Sequence, residues 1–204
     1  MNARIYSGVI FRPEIHGCIA NKSTCTAAIE PKLEMQLGKG EGKVYHQIYL
    51  DLTKAYDTVN RERLLKILKA YGMGPNTIRL LNSVWEGSGI VPKCAGRYGQ
   101  RIPTERGVRQ GDITSPAFFN LILDAIIRVA RAENALNNPE LAHLLRTTFY
   151  VDDGRLGLTN AVLLQDNLDR YARLFVIMGL KMNTTKTVSM TTALTRTLLL
   201  ETPG

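Results

Sequence analysis

Two short apolar stretches, far apart in the chain, each run directly into carboxylates: Ile48-Tyr49-Leu50-Asp51-Leu52 and Phe149-Tyr150-Val151-Asp152-Asp153. Aromatic and β-branched residues in rough alternation read Val44 to Leu50 as a strand. Thr147 to Val151 and Arg155 to Leu158 read as two more, turning through Asp152-Asp153-Gly154. Taken singly, each acid is an ordinary turn residue. If the strands pair, three carboxylates collect at one sheet edge, where they repel one another unless a divalent cation neutralises them. Hard oxygen ligands favour Mg²⁺ or Mn²⁺ over zinc.

The segments between these strands read as helices and one hairpin. Thr24 to Leu37 is a first helix that Pro31 is expected to break or kink, followed by a polar turn over Gly38 to Lys43. Asn60 is placed to cap a helix over Arg61 to Tyr71, closed by Gly72. Leu64, Leu65, Leu68 and Tyr71 form its apolar stripe. Pro75 opens a second helix ending near Gly87, and Val91 to Glu105 reads as a Gly- and Pro-punctuated hairpin. Ser115-Pro116 starts a long helix to about Glu133, with Ser115 as its expected cap. Asn160 caps a last helix ending at Gly179. This order predicts an α+β fold with an antiparallel sheet.

The chain has 204 residues and a net charge of +8. That length suits one domain, and the basic balance points to a polyanion, nucleic acid ahead of a membrane surface. An acid-held Mg²⁺ in a basic protein points to phosphoryl transfer. The most apolar stretch, Ala117 to Ala132, is interrupted by Asn120, Asp124, Arg128 and Arg131, so no membrane span is expected. Met1 to Gly8 lacks the apolar core of a signal peptide, so an intracellular protein, cytoplasmic or nuclear, is expected. Cys18, Cys25 and Cys94 are odd in number and widely spaced. With His16 they complete no zinc pattern and read as idle thiols.

Asp51-Leu52-Thr53-Lys54-Ala55-Tyr56-Asp57-Thr58-Val59 resembles the first catalytic motif of reverse transcriptases. Arg106-Gly107-Val108-Arg109-Gln110-Gly111-Asp112, with Ser115-Pro116-Ala117-Phe118-Phe119-Asn120, is similar to their template- and nucleotide-contacting motif. Phe149-Tyr150-Val151-Asp152-Asp153 resembles their Tyr-x-Asp-Asp box, and Gly179 to Thr187 the motif that follows. All four occur in family order, nearest in wording to non-LTR retrotransposons and group II introns.

The resemblance implies a polymerase palm, an antiparallel sheet flanked by helices, that joins deoxynucleoside triphosphates to a DNA primer on an RNA template. It implies Asp51 and Asp152 as ligands of two metals, Asp153 as a third carboxylate shaping the site, and the Leu52 carbonyl completing the shell. Tyr56 would lie under the nucleotide sugar. Gln110 and Gly111 would contact nucleotide and template, glycine allowing close backbone approach. Lys186 would lie near the triphosphate. Arg97, Arg101, Arg106 and Arg109 flank the template loop as candidates for phosphate contacts, whereas Arg61, Arg63, Lys66 and Lys69 read as a solvated helix face. Asp57 reads as structural, a cap for the next turn.

The expected organisation is one domain over 1–204: partial fingers at 1–43, a palm with inserted fingers elements at 44–192, and a tail at 193–204. Gly17 to Thr24 only loosely matches the family's fingers segment, and the thumb is missing, so the chain reads as a piece of a larger retroelement protein. An RNA-dependent RNA polymerase palm and a non-catalytic RNA-binding remnant are the alternatives; Tyr56 argues against the first, the three acids against the second.

Overall fold

A computed structural model describes residues 11–140 and 142–193. Met1 to Gly8 and nearly all of the 193–204 tail lie outside the described residues. The first helix, α1 (Thr24–Gly40), opens on Ser23, whose hydroxyl accepts from the Thr26 amide at 3.3 Å while Thr26 Oγ1 accepts from the Ser23 amide at 2.9 Å. This reciprocal pair satisfies two amides that a helix start leaves orphaned. The expected break at Pro31 does not occur. Pro31 is buried inside the helix, and its carbonyl accepts from Gln47 Nε2 at 3.2 Å on the strand below. Tertiary anchoring outweighs the one hydrogen bond a proline removes. The helix also takes in the first three residues of the expected 38–43 turn.

Strands β1 (His46–Asp51), β6 (Arg146–Tyr150), β7 (Asp153–Leu158) and β8 (Val188–Thr191) form one antiparallel sheet in the order β6-β7-β1-β8. The strand after the acidic turn, β7, is thus the one that pairs with β1, and Asp51 stands opposite Asp153. One face carries Ile48, Leu50, Phe149, Leu156 and Leu158, all buried in the core. On the other face α1 lies over β6 and β7, where Glu34 forms an ion pair with the buried Arg155 and accepts from Tyr45 Oη at 2.8 Å. Gly154 faces the Phe149 ring across the hairpin, where no side chain fits.

Helices on the core side of the sheet include a one-turn α2 (Ala55–Thr58), α3 (Arg61–Ala70), α4 (Pro75–Glu86) and the long α5 (Ser115–Asn137). Asn60 caps α3, its Oδ1 accepting from the Arg63 amide at 3.0 Å. Asn160 does the same for α6 (Ala161–Ile177), accepting from the Leu163 amide at 3.0 Å. Phe119, Ile122, Leu123 and Ile127 of α5 are fully buried. Ser115 is not the cap of α5 but its first residue, and it is buried. Asp112 serves the start instead, its Oδ1 accepting from the Thr114 amide at 2.8 Å and from Thr114 Oγ1 at 2.7 Å. Asp124, interrupting the apolar stretch, is wholly buried and accepts from the Arg12 amide at 2.7 Å, Arg128 Nε at 2.6 Å and the Tyr71 hydroxyl. No described helix is long and apolar enough to cross a membrane.

The 91–105 hairpin exists and begins slightly earlier. Its base pairs β2 (Gly89–Ile90) with β5 (Ile102–Pro103), and its tip pairs β3 (Lys93–Cys94) with β4 (Arg97–Tyr98).

Candidate active site

The acidic turn is built under strain. Val151, between Tyr150 and Asp152, has φ +57°, a left-handed conformation that a β-branched residue adopts at a cost of order 1–3 kcal/mol. It is held by its surroundings. The Tyr150–Asp153 pair closes the hairpin below it, and the backbone of residues 14–16 pairs along β6, with Phe149 N donating to Glu14 O and His16 N to Phe149 O, both at 2.8 Å. A Cβ on Gly17 would meet Val151 at 2.6 Å, and the Gly17 carbonyl accepts from the buried Asn120 Nδ2 at 2.8 Å.

The end of β1 is fixed from its other side. Asn183 N donates to the Asp51 carbonyl and Thr53 N to the Lys181 carbonyl, both at 2.8 Å, with Leu52 and Met182 facing each other between them. In an antiparallel ladder this leaves the Leu52 amide and carbonyl directed away from that strand, toward the β7 side. Asn183 Nδ2 donates to Asp51 Oδ2 at 2.9 Å, and Lys186 Nζ lies 3.6 Å from Asp51 Oδ1.

Two distant sequence segments, 56–59 and 107–110, meet here. Val108 N donates to Tyr56 O at 2.8 Å and Gly107 N to Val59 O at 2.9 Å. Gly107 has φ +85°, and a Cβ on it would stand 2.7 Å from the Asp57 carbonyl. This close approach carries the following loop to Tyr56, and Gln110 Nε2 donates to Asp57 Oδ1 at 3.3 Å. Asp57 therefore ties two motifs together rather than capping a turn. Gly111 has φ +86° but open space where its Cβ would be. Its positive φ requires glycine, and the open space beside it belongs to the cavity where the expected close approach of a nucleotide would take place.

A cavity of ≈ 550 Å³ opens between these pieces, lined by Tyr56, Gln110, Gly111, Asp112, Ser115, Pro116 and Asp152. The Tyr56 ring stacks on Phe119 with centroids 5.1 Å apart and planes 16° from parallel. Burial, then Cys18 and Asp152, push its hydroxyl up to about 12, so it stays protonated at neutral pH.

The three acids share one sheet edge but face different ways. Asp51 is held by Asn183 and Lys186, Asp152 lines the cavity beside Tyr56, and Asp153 lines a second cavity beneath α1. Among the described residues no group of three or more His, Cys, Asp or Glu is gathered into a metal site. The strand pairing brings the three acids to one sheet edge, as expected, with their carboxylates turned apart. Burial, then Asp152 and Asp51, raise the Asp153 carboxyl above its ordinary value, with Lys186 opposing them. Oxygen donors of one sign beside an inward-turned carbonyl suit a hard divalent cation, whose charge would offset the repulsion.

Arg97, Arg101, Arg106 and Arg109 are all exposed. Arg101 donates to the Gly87 carbonyl and so braces the hairpin base. Arg61 is not on a solvated face. Its Nε donates to Gly107 O at 2.8 Å, and its Nη1 donates to Thr104 O at 2.6 Å, Ser88 Oγ at 3.0 Å and Trp85 O at 3.2 Å. Neither this role nor that of Asn183 follows from local spacing, although Asn183 lies inside a recognised motif. Cys18, Cys25 and Cys94 are exposed free thiols, and the buried His16 pairs through Nδ1 with Thr26 Oγ1 at 3.1 Å.

The chain is 27% identical over 180 residues to the retrovirus-related Pol polyprotein from type-1 retrotransposable element R2 of Popillia japonica, covering 88% of this chain and 24% of that protein. It is 30% identical over 143 residues to the Pol polyprotein from type-2 retrotransposable element R2DM of Drosophila melanogaster, covering 67% and 13%. The chain thus spans about a quarter or less of these relatives' length. Telomerase from Candida tropicalis, solved in complex with a TWJ fragment of telomeric RNA, superposes with a TM-score of 0.66 at 17% identity, covering 86% of this chain and 30% of that one. Identity this low speaks for a shared fold alone. Residues 1–199 match the reverse transcriptase (RNA-dependent DNA polymerase) family, and the chain belongs to it.

Proposed function

We propose that this chain carries the nucleotidyl-transfer centre of an enzyme that copies RNA into DNA: a primer 3′-hydroxyl attacks the α-phosphorus of a deoxynucleoside triphosphate and pyrophosphate leaves. The observation that carries this reading is the pairing of Asp51 with Asp153 across β1 and β7, beside Asp152 at the mouth of the cavity bounded by Tyr56 and Gln110. Asp51, Asp152, Asp153 and the Leu52 carbonyl would hold Mg²⁺ or Mn²⁺. Such ions, when bound, make the primer hydroxyl more acidic and offset the charge of the departing pyrophosphate.

The remaining work falls to the chain. Asn183 orients the Asp51 carboxylate, and Lys186, 3.6 Å from Asp51 Oδ1, would lie near the triphosphate. Tyr56, backed by Phe119, is the rigid floor on which a deoxyribose rests, and its bulk excludes a 2′-hydroxyl. Gln110 and Gly111 contact the nucleotide and its template base. The exposed Arg97, Arg106 and Arg109 meet template phosphates, which carry affinity without sequence preference. Residues 44–192 are read as the palm with its inserted fingers elements and 1–43 as partial fingers, working in the cytoplasm or nucleus.

The test is primer extension on an RNA template by the chain joined to flanking fingers and thumb segments. Extension requires Mg²⁺ or Mn²⁺, and Asp152→Asn abolishes nearly all of it while the fold persists. Undiminished extension by Asp152→Asn overturns the reading.

A further inference from the structure

The hairpin from β2 to β5 holds, beside Arg97, two tip residues that the polymerase reading leaves unused, Lys93 and Tyr98. Its paired segments are short, and a ribbon this small is marginal in water. Its base is nonetheless firmly fastened. Thr104 N donates to Ser88 O at 3.1 Å, Ser88 Oγ and Thr104 Oγ1 lie 2.8 Å apart, and Arg61 and Arg101 clamp the flanking carbonyls. The tip, by contrast, touches no core: Lys93, Cys94, Arg97 and Tyr98 are all exposed. A rigid stalk that presents an unburied tip serves something outside the fold.

The chemistry of the tip identifies it. Lys93 and Tyr98 are direct cross-strand partners, and Lys93 Nζ stands 5.0 Å from the Tyr98 ring centroid. The ammonium occupies one face of the ring and steadies it, while 72% of Tyr98 remains exposed. An exposed aromatic ring with Lys93 against it and Arg97 next to it in the strand offers what an unpaired nucleic-acid strand requires: a π surface for a base and cations for phosphates. A duplex offers stacked, covered bases and makes no use of the ring. The stalk also runs within a few residues into the Gly107–Gly111 loop, whose Gln110 and Gly111 line the active-site cavity.

We propose that this hairpin grips the single-stranded RNA template ahead of the active site, with one base stacked on Tyr98 and its phosphates met by Arg97. The proposal rests on the RNA-copying reading above, and its test separates the two. Anisotropy of a labelled single-stranded uridine oligomer is measured with wild type, Tyr98→Phe, Tyr98→Ala and Arg97→Ala, beside an RNA–DNA duplex and an abasic strand of equal length. Tyr98→Ala is expected to lose about 5- to 150-fold in affinity for the oligomer, with its urea midpoint unchanged because the ring lies outside the core. Tyr98→Phe retains binding within about twofold. Affinity for the duplex and the abasic strand is the same for wild type and Tyr98→Ala. The log-affinity against log-salt slope is unchanged by Tyr98→Ala, which removes no charge, and falls by about 0.7 in Arg97→Ala. Equal binding of the oligomer by wild type and Tyr98→Ala overturns the proposal and leaves the polymerase reading standing. So does an equal loss on the abasic strand. A wild type that binds neither strand nor duplex overturns both.

Discussion

Replacing Arg61 with alanine tests whether one side chain holds the hairpin and the nucleotide loop to the palm. Arg61 opens α3, and its guanidinium donates to the carbonyls of Trp85, Thr104 and Gly107 and to Ser88 Oγ, with its carbon 5.9 Å from the Trp85 ring centroid. These groups come from two separate stretches of chain, 85–88 and 104–107. A hydrogen bond with a charged partner is worth ~1.5–3 kcal/mol net, and bonds from one group do not add. Arg61 is half-buried, so water can reach some of the abandoned carbonyls. Arg61→Ala should therefore cost about 2–4 kcal/mol, since two of the three carbonyls, those of Gly107 and Thr104, lose short contacts. For a chain of this length each kcal/mol moves the midpoint by ~2–4 °C, giving a fall of roughly 4–16 °C. Arg61→Lys keeps the charge but not the planar fork, and recovers less than half of that loss.

Urea unfolding followed by Trp85 fluorescence measures the energy, and amide exchange locates it. The Thr104 amide, bonded to Ser88 O at 3.1 Å, should lose protection well beyond the global change. A loss below about 0.5 kcal/mol with unchanged Thr104 exchange would put Arg61 among ordinary surface charges and refute the clamp.

Asn183→Ala removes the amide that donates to Asp51 Oδ2 at 2.9 Å, so Mn²⁺ affinity measured by paramagnetic resonance should fall about 10- to 100-fold; wild-type affinity would deny Asn183 a positioning role. Asp112 is held below its ordinary value by the Thr114 amide and then its hydroxyl. Its contribution is thus present above the unfolded carboxylate pKa and disappears as pH falls through the lowered folded one. Asp112→Ala should cost about 0.5–1 kcal/mol at pH 7 and converge on wild type in acid; a penalty that persists in acid would contradict the sign.

What could be read in advance was chemistry that local sequence carries by itself. Asn60 and Asn160 cap their helices because a short side chain bonds an amide three residues on. The acidic strand ends were visible because acids that are ordinary singly fall at the ends of two apolar runs able to pair. Pairings across the chain were not visible. Pro31 should end a helix, and the helix survives through a strand residue, Gln47, that binds the proline's own carbonyl. Ser115 has the right side chain for a cap, but the turn set by Asp112 places it inside the helix, where it is buried.

Arg61 and Lys66 sit on the same helix with the same sign of charge. Lys66 reaches Glu62 at 2.6 Å in the open, as a solvated helix face predicts. Arg61 meets the foot of a hairpin whose return path no spacing in α3 encodes. The two loop glycines make the same point within one motif. Gly107 and Gly111 have φ +85° and +86°, and both would strain a side chain equally. A Cβ at Gly107 would also strike the Asp57 carbonyl at 2.7 Å, whereas one at Gly111 would meet nothing within 4 Å. Backbone conformation is a local property that a turn sequence announces. Contact is a property of two segments, and nothing in the loop's own sequence announces the turn at Asp57 that Gly107 lies against.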